Sequence, residues 1–243
     1  MPVCIGKATK LIEYLPDDKE YIATVQFGKT TDTYDLDGET VKISDKKVTE
    51  QEVINSLKSF EGEISQLPPI YSAIKKNGKK LYEYARAGES VDIEPRRVTI
   101  SEIKLLEFDE AAQIAKIKTA CSSGTYIRSI ANDLGEKLGC GGYLIALERT
   151  RSGKFGIDDS LDLSEISDKD TLIKNLIYPT NIMDNEVCTL TDSEIERISH
   201  GMSIENRGYK SSNIVFFVYS GKIHGVGLVA DDKILAKKIF EVL

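Results

Sequence analysis

The 243-residue sequence predicts an α+β fold, a mixed, mainly antiparallel central sheet with packed helices, plus a small C-terminal β module. Three observations predict it. Apolar residues alternate with polar ones in several strand-length runs, and only a few stretches carry helical spacing. The links between runs are short, which suits antiparallel neighbours better than parallel crossover units. After Tyr178-Pro179, which reads as a linker, three closely spaced strand patterns form a second group. The domains read from this pattern are residues 1–178 and 179–243.

The elements follow in order. The chain enters at once on Val3 and Ile5, then a helical run through Leu11, Ile12 and Leu15 with no polar leader, so it reads as the middle of a fold. Tyr21, Ala23, Val25 and Phe27 alternate with polar residues as a strand. The Asp- and Thr-rich TTDTYDLDG reads as a loop. Thr49 and Glu52 form a capping-box pair ahead of Val53, Leu57 and Phe60, and Gly62 closes that helix. Pro68-Pro69 imposes extended backbone. Lys75 to Lys80 around Asn77-Gly78 reads as a basic turn, with a short helix from Leu81 to Ala87 behind it. Val98–Phe108 and Gln113–Ala120 read as two strands.

Next comes CSSGTYIRSIANDLGEKLGCGG, Cys121 to Gly142. Ile127, Ile130, Ala131, Leu134 and Leu138 form a buried helical stripe, and Asn132, Asp133, Glu136 and Lys137 read as water-facing. Thr125 reads as the N-cap and Gly139 as the stop. Tyr126 and Arg128 fall in the first turn, where a guanidinium can grip a carboxylate or phosphate. Spacing alone favours the plainer reading, with Arg128 a solvated helix residue and Tyr126 a core aromatic. A strand over Tyr143–Thr150 follows. In the C-terminal part, Thr191 and Glu194 repeat the capping box, and Ile214–Tyr219, Ile223–Ala230 and Ile234–Phe240 read as strands.

Composition narrows the function. No window is apolar for the length of a membrane span, so the cytoplasm is the expected location. Four cysteines without a C-x-x-C pair and two histidines suggest neither a disulfide scaffold nor a metal site, only buried free thiols. The net charge of −7 argues against binding nucleic acid by bulk charge. Locally, however, Lys75, Lys76, Lys79, Lys80 and Arg86, then Arg96 and Arg97, then Arg149, Arg151 and Lys154 form basic runs. Tyr71, Tyr82, Tyr84 and Phe155 lie among them, the mixture that phosphate contacts and base stacking use. They read together as a basic channel on an acidic body. His200 and His224 lack the setting of a Ser-His-Asp triad. The glycines of Gly225-Val226-Gly227 open no helix, which rules against a dinucleotide loop.

Together, PVCIGKATK, FGKTTDTYDLDG, LPPIYSAIKKNGKKLYEYARAG, CSSGTYIRSIANDLGEKLGCGG and LERTRSGKF resemble the bacterial tRNA pseudouridine synthase B (TruB) family, from Pro2 to about Phe155. The C-terminal module resembles a shortened PUA-type RNA-binding domain. The resemblance implies the pseudouridine synthase fold and isomerisation of uridine-55 in the T-loop of tRNA, on a base flipped into a pocket. It implies no cofactor, a tRNA T-arm as partner, no obligate protein partner and a monomer. By resemblance Tyr21 stacks on the flipped base, Tyr126 and Leu147 line its pocket, and Arg128 pairs with the catalytic aspartate. Lys75, Lys76, Lys79, Lys80, Arg86, Arg149, Arg151 and Lys154 are then the candidate contacts to the RNA backbone.

One departure stands out. The family's nucleophile lies in a Gly-Thr-Leu-Asp-Pro motif just before the segment that matches Met1–Cys4, and that motif occurs nowhere in these 243 residues. The chain therefore reads as N-terminally truncated, by a mis-called start or otherwise. The expectations are a polypeptide inactive alone, poorly soluble, with Arg128 an exposed cation facing an empty cleft. The alternative is a non-catalytic tRNA-binding or tRNA-folding module. The related guide-RNA-dependent synthases fit LYEYARAG and the terminal module less well.

Overall fold

Strand β1 (Lys19–Phe27) lies inside the larger sheet of the computed structural model, which describes residues 1–240. After it come a small hairpin of β2 (Lys29–Thr31) and β3 (Thr40–Ile43), helix α1 (Glu50–Leu57) and strand β4 (Gly62–Gln66). A second small hairpin, β5 (Lys75–Lys76) with β6 (Lys79–Lys80), leads into α2 (Leu81–Arg86). The long β7 (Arg96–Asp109), β8 (Ile114–Cys121), α3 (Ile127–Leu138), β9 (Gly142–Ser152) and β10 (Phe155–Gly156) complete this part. The sheet order is β10-β9-β1-β8-β7-β4, and every pair in it is antiparallel.

Alternation explains what covers this sheet. Ala23, Val25 and Phe27 of β1 point to one face, where they are buried with Val53 and Leu57 of α1 and with Ile127, Ile130, Ala131 and Leu134 of α3. Burying each large side chain there contributes about 1.5–3 kcal/mol. The residues between them face the other way, among charges: Lys118 bridges Glu20 at 2.8 Å and Glu102 at 3.4 Å.

Helix α3 sits unusually close to β9. A Cβ on Gly135 would lie 2.1 Å from the Gly142 backbone nitrogen, so the two backbones touch where only glycine allows it. Gly139 ends the helix in the left-handed conformation, as its sequence signal requires. The buried surface of α3 is wider than its apolar stripe. Asn132 is 3% exposed and Asp133 is half-buried, which corrects their reading as water-facing. The turn before β3 lies on this side of the helix: burial raises the phenol pKa of half-buried Tyr34, and the charges of Asp133 and Glu136 add to it.

The second part comprises α4 (Lys169–Lys174), β11 (Glu186–Thr189), α5 (Asp192–Ser199), β12 (Ile204–Glu205), β13 (Ile214–Tyr219), β14 (Lys222–Ala230) and β15 (Lys233–Ile239). Its sheet order is β11-β13-β14-β15-β12, with β11 parallel to β13. Val215 and Phe217 pack on one face with Ile198 of α5, and Phe216 packs on the other. That second face is covered by an unexpected segment. Leu11, 1% exposed, is buried with Phe216, Val226 and Phe240, and the Tyr14 ring meets Phe216 edge-on at 5.9 Å.

The chain therefore divides into Met1 with residues 17–160, and residues 2–16 with 161–243. This differs from the reading of 1–178 and 179–243 on two counts, because the opening run buries its apolar residues on the C-terminal strands and the first unit ends near Ser160. The run itself is a 3₁₀ helix over Gly6–Tyr14. Strand β4 was not read from the sequence, since its buried Gln66 breaks the apolar alternation. The β2–β3 hairpin was read as loop, and β3 indeed leaves Val41 and Ile43 exposed.

Candidate functional site

The site residues all belong to the first unit, and the start of α3 organises them. Thr125 is not the N-cap; its hydroxyl donates to the Ser122 carbonyl at 2.9 Å. Tyr126 takes the cap position with extended backbone, φ −98° and ψ 107°, and its own side chain makes no capping hydrogen bond. The cap comes from β4. Gln66 Oε1 accepts the Tyr126 N–H at 2.8 Å, and Gln66 Nε2 donates to the Tyr126 carbonyl at 3.0 Å. Ser129 Oγ adds a bond to the Leu67 carbonyl at 2.8 Å, so the segment entering Pro68-Pro69 is stitched to the helix start.

Arg128 projects from this first turn and is held on two sides. Its Nη2 donates to the Tyr71 carbonyl at 3.0 Å, and its Nε lies 3.8 Å from Asp35 Oδ2. With 26% of its side chain exposed, it is not the bare cation expected from the sequence. Asp35 is itself fixed by its turn. Its Oδ1 accepts from Leu36 N at 2.8 Å, its carbonyl accepts from Thr31 Oγ1 at 2.9 Å, and it bridges to Leu144 of β9. The preceding Tyr34 holds φ at +60°, a costly conformation for a bulky residue, and its carbonyl accepts the Leu144 N–H at 3.0 Å. A single long contact between partly exposed charges stabilises little by itself. Its consequence is directional: the guanidinium edge not used by Asp35 and Tyr71 remains to grip a second anion.

Tyr21 sits on the core face of β1, opposite Thr119 of β8 and Arg149 of β9. Burial pushes its phenol pKa up and the nearby Cys121 thiol adds to this, while a hydrogen bond from Arg149 pulls the other way. Leu147 pairs with Ala23, so it shares this face with Tyr21, and it is 47% exposed. Cys121 links the two halves of the site: its thiol, raised by burial, also meets the hydroxyl of Thr125, next to Tyr126. Beyond Tyr34, burial pushes the Asp133 carboxyl up to about 6, with Glu136 raising it further against the Asn132 amide.

The predicted backbone contacts divide into two groups. Lys76 pairs with Glu94 at 3.4 Å, and Lys79 with Glu89 at 2.7 Å, so neither is a bare cation and the hairpin is no purely basic surface. Lys79 also lies over the Tyr84 ring at 4.4 Å, while Lys80 and Arg86 lie over Tyr82 at 5.4 and 5.3 Å. Lys75 is exposed. This hairpin connects to the first turn of α3 through Tyr71. Arg149, Arg151 and Lys154 lie at the opposite edge, on or after β9; Arg151 bonds Asp18 and the Gly153 carbonyl. Asp35 and Gln66 are the two site residues that sequence reasoning missed. Asp35 carried only a turn signal, and a buried glutamine carries none.

The antiparallel sheet with α1 and α3 packed on one face is that of the pseudouridine synthase fold. The fold matches a structure of a Cbf5-Nop10-Gar1 complex with TM-score 0.68 at 21% identity, over 97% of this chain and 70% of that one. A structure of an H/ACA RNP bound to a substrate RNA containing 2'-deoxyuridine matches with TM-score 0.64 at 20% identity, again over 97% of this chain and 70% of that one. Within that class the chain belongs to the TruB family. The profile of the TruB family pseudouridylate synthase (N terminal domain) matches residues 1–127, and that of the tRNA pseudouridylate synthase B C-terminal domain matches 128–183. Similar proteins include tRNA pseudouridine synthase B of Saccharophagus degradans, 39% identical over 98% of this chain and 81% of the relative. That of Clostridium kluyveri is 35% identical over 99% of this chain and 84% of the relative. The PUA-like module at the C-terminus completes the correspondence with the fold expected from the sequence. Among the described residues no helix is long and apolar enough to cross a membrane.

Proposed function

We propose that this chain carries the base-handling site of a tRNA pseudouridine synthase that isomerises uridine-55 of the T-loop. Arg128 carries the reading: it is clamped at a helix start by Asp35 and Tyr71, with one guanidinium edge left for a carboxylate. In this reading the target uridine leaves the loop and enters beside Tyr21, whose ring stacks on it. Tyr126 and Leu147 wall the base off from water. Arg128 keeps the nucleophilic aspartate ionised and aimed. The glycosidic carbon–nitrogen bond breaks, the ring turns, and a carbon–carbon bond replaces it, with the displaced ring proton passing to nitrogen. Substrate and product are isomers, so the atoms balance without a co-reactant.

Lys75, Lys80, Arg86, Arg149 and Lys154 are proposed to contact the RNA backbone, with Lys76 and Lys79 doing so only by exchanging their acidic partners for phosphate. The C-terminal module is proposed as a second RNA contact, and the protein as a cytoplasmic monomer acting without a protein partner. The polypeptide of residues 1–243 lacks the Gly-Thr-Leu-Asp-Pro motif, which favours binding without turnover by this polypeptide alone. The test is tritium release from a T-arm stem-loop labelled at uridine C5, beside a binding measurement on the same RNA. The expected result is saturable binding with no release. Adding an N-terminal extension that bears the motif should start release, from position 55 only. Release by residues 1–243 alone would refute the inactivity, and absence of binding would refute the site.

A further inference from the structure

We infer that Gln66 is a positioning residue for the proposed reaction: from β4 it selects where α3 begins and so aims Tyr126 and Arg128. The inference rests on the roles proposed above for those two residues. Gln66 is 2% exposed, and its amide oxygen and nitrogen are both spent on one residue, the N–H and carbonyl of Tyr126, from sixty positions away. That two-bond exchange is the pattern of a hydrogen-bonded strand pair, made here by a side chain. It holds Tyr126 extended, and the helix starts one residue later.

A competing start lies next door. Thr125 is a better local cap than tyrosine, since its hydroxyl could accept an N–H of the first turn. Here that hydroxyl donates to the Ser122 carbonyl, and the cap position falls to Tyr126. A start one residue earlier would take Tyr126 out of its extended backbone and into the helix, swinging its side chain and breaking both bonds to Gln66. Arg128 and Ser129 lie in the first turn that these bonds anchor, so without Gln66 that turn frays and loosens their hold on Asp35, the Tyr71 carbonyl and the Leu67 carbonyl. Gln66 thus settles a contest that the local sequence leaves open. Its chemistry is specific. Glutamate accepts from the Tyr126 N–H but repels its carbonyl, asparagine is one methylene short, and methionine fills the volume with neither bond.

The experiment compares Gln66→Met, Gln66→Glu and a core control, Val53→Ala, in the full chain. Amide hydrogen exchange and the Arg128 Nε–H resonance report the helix start without RNA. A T-arm stem-loop with 2-aminopurine beside the target uridine reports base extrusion. Gln66→Met is expected to speed exchange at Tyr126 and Ile130 at least tenfold while amides of β1 and α1 stay within twofold, and to broaden the Arg128 signal. Stem-loop affinity should change less than threefold, and the extrusion signal should fall at least fivefold. Gln66→Glu should retain part of the Tyr126 protection. A uniform rise in exchange, unchanged exchange, or the same local pattern in Val53→Ala would overturn the inference. Should the wild-type chain bind no stem-loop, the proposed function falls, and the exchange pattern still decides the role of Gln66.

Discussion

The two helices that cover the sheet begin in opposite ways. At α1 the Thr49 hydroxyl accepts from Glu52 N at 3.4 Å, and the Glu52 carboxylate accepts from Thr49 N at 2.8 Å, a closed exchange within four residues. At α3 no local side chain caps the helix, and Gln66, Leu67 and Tyr71 reach in from elsewhere in the chain. The first start is written in its own segment and serves only packing. The second is assembled by the fold, and the proposed chemistry sits there. A functional side chain that must be aimed needs external references, and a cap internal to the helix cannot provide them.

The strongest way to break this comparison is to move α3 bodily. Gly135→Ala places a Cβ where the Gly142 backbone already lies, so it should cost about 3 kcal/mol or more and weaken stem-loop binding. Urea unfolding with a binding titration measures both, and a loss below about 1 kcal/mol would mean that α3 is free to shift. The second effect is electrostatic. The Asp133 carboxyl titrates at about 6 in the folded chain, above its ordinary value, so the folded state holds the proton more tightly than the unfolded one. Its contribution is present below about pH 4 and is lost as pH rises to about 6. Asp133→Asn should remove that dependence and stabilise the protein at pH 8 by about 1–2 kcal/mol, discounted for partial solvent exposure. Urea midpoints across pH 4–8 test this, and parallel curves for the two proteins would contradict it. The smallest effect sharpens the contrast. Thr49→Ala should cost about 1 kcal/mol through the lost cap, and should leave stem-loop binding unchanged. A binding defect there would show that α1 is coupled to the site after all.

The family resemblance named several candidate site residues before any coordinates. The structure brings Tyr21, Leu147 and Arg149 to one sheet face and sets Tyr126 at the N-cap and Arg128 in the first turn of α3. The surroundings were less legible. Arg128 was expected bare and is clamped; Asn132 and Asp133 were expected in water and are buried and half-buried; Lys76 and Lys79 were expected to contact RNA phosphate and are paired with Glu94 and Glu89. Arg128 is held by the distant Asp35 and Tyr71, while Lys76 and Lys79 find Glu94 and Glu89 in the stretch after α2. The opening run shows a distant partner on a larger scale. Its helical spacing was visible, but nothing local told that Leu11 and Tyr14 bury themselves against Phe216.

The sequence by itself determined strands β1, β7, β8, β9, β13, β14 and β15, the capping boxes of α1 and α5, the glycine stop of α3 and the family. Those depend on period, turn chemistry and residues a few positions apart, all properties of a continuous stretch of chain. Only the tertiary structure decided which residue starts α3, what holds Arg128, and which part of the chain Leu11 belongs to. A buried glutamine facing a backbone, or a carboxylate beside a guanidinium, has meaning only through a partner that folding brings within about 3–4 Å.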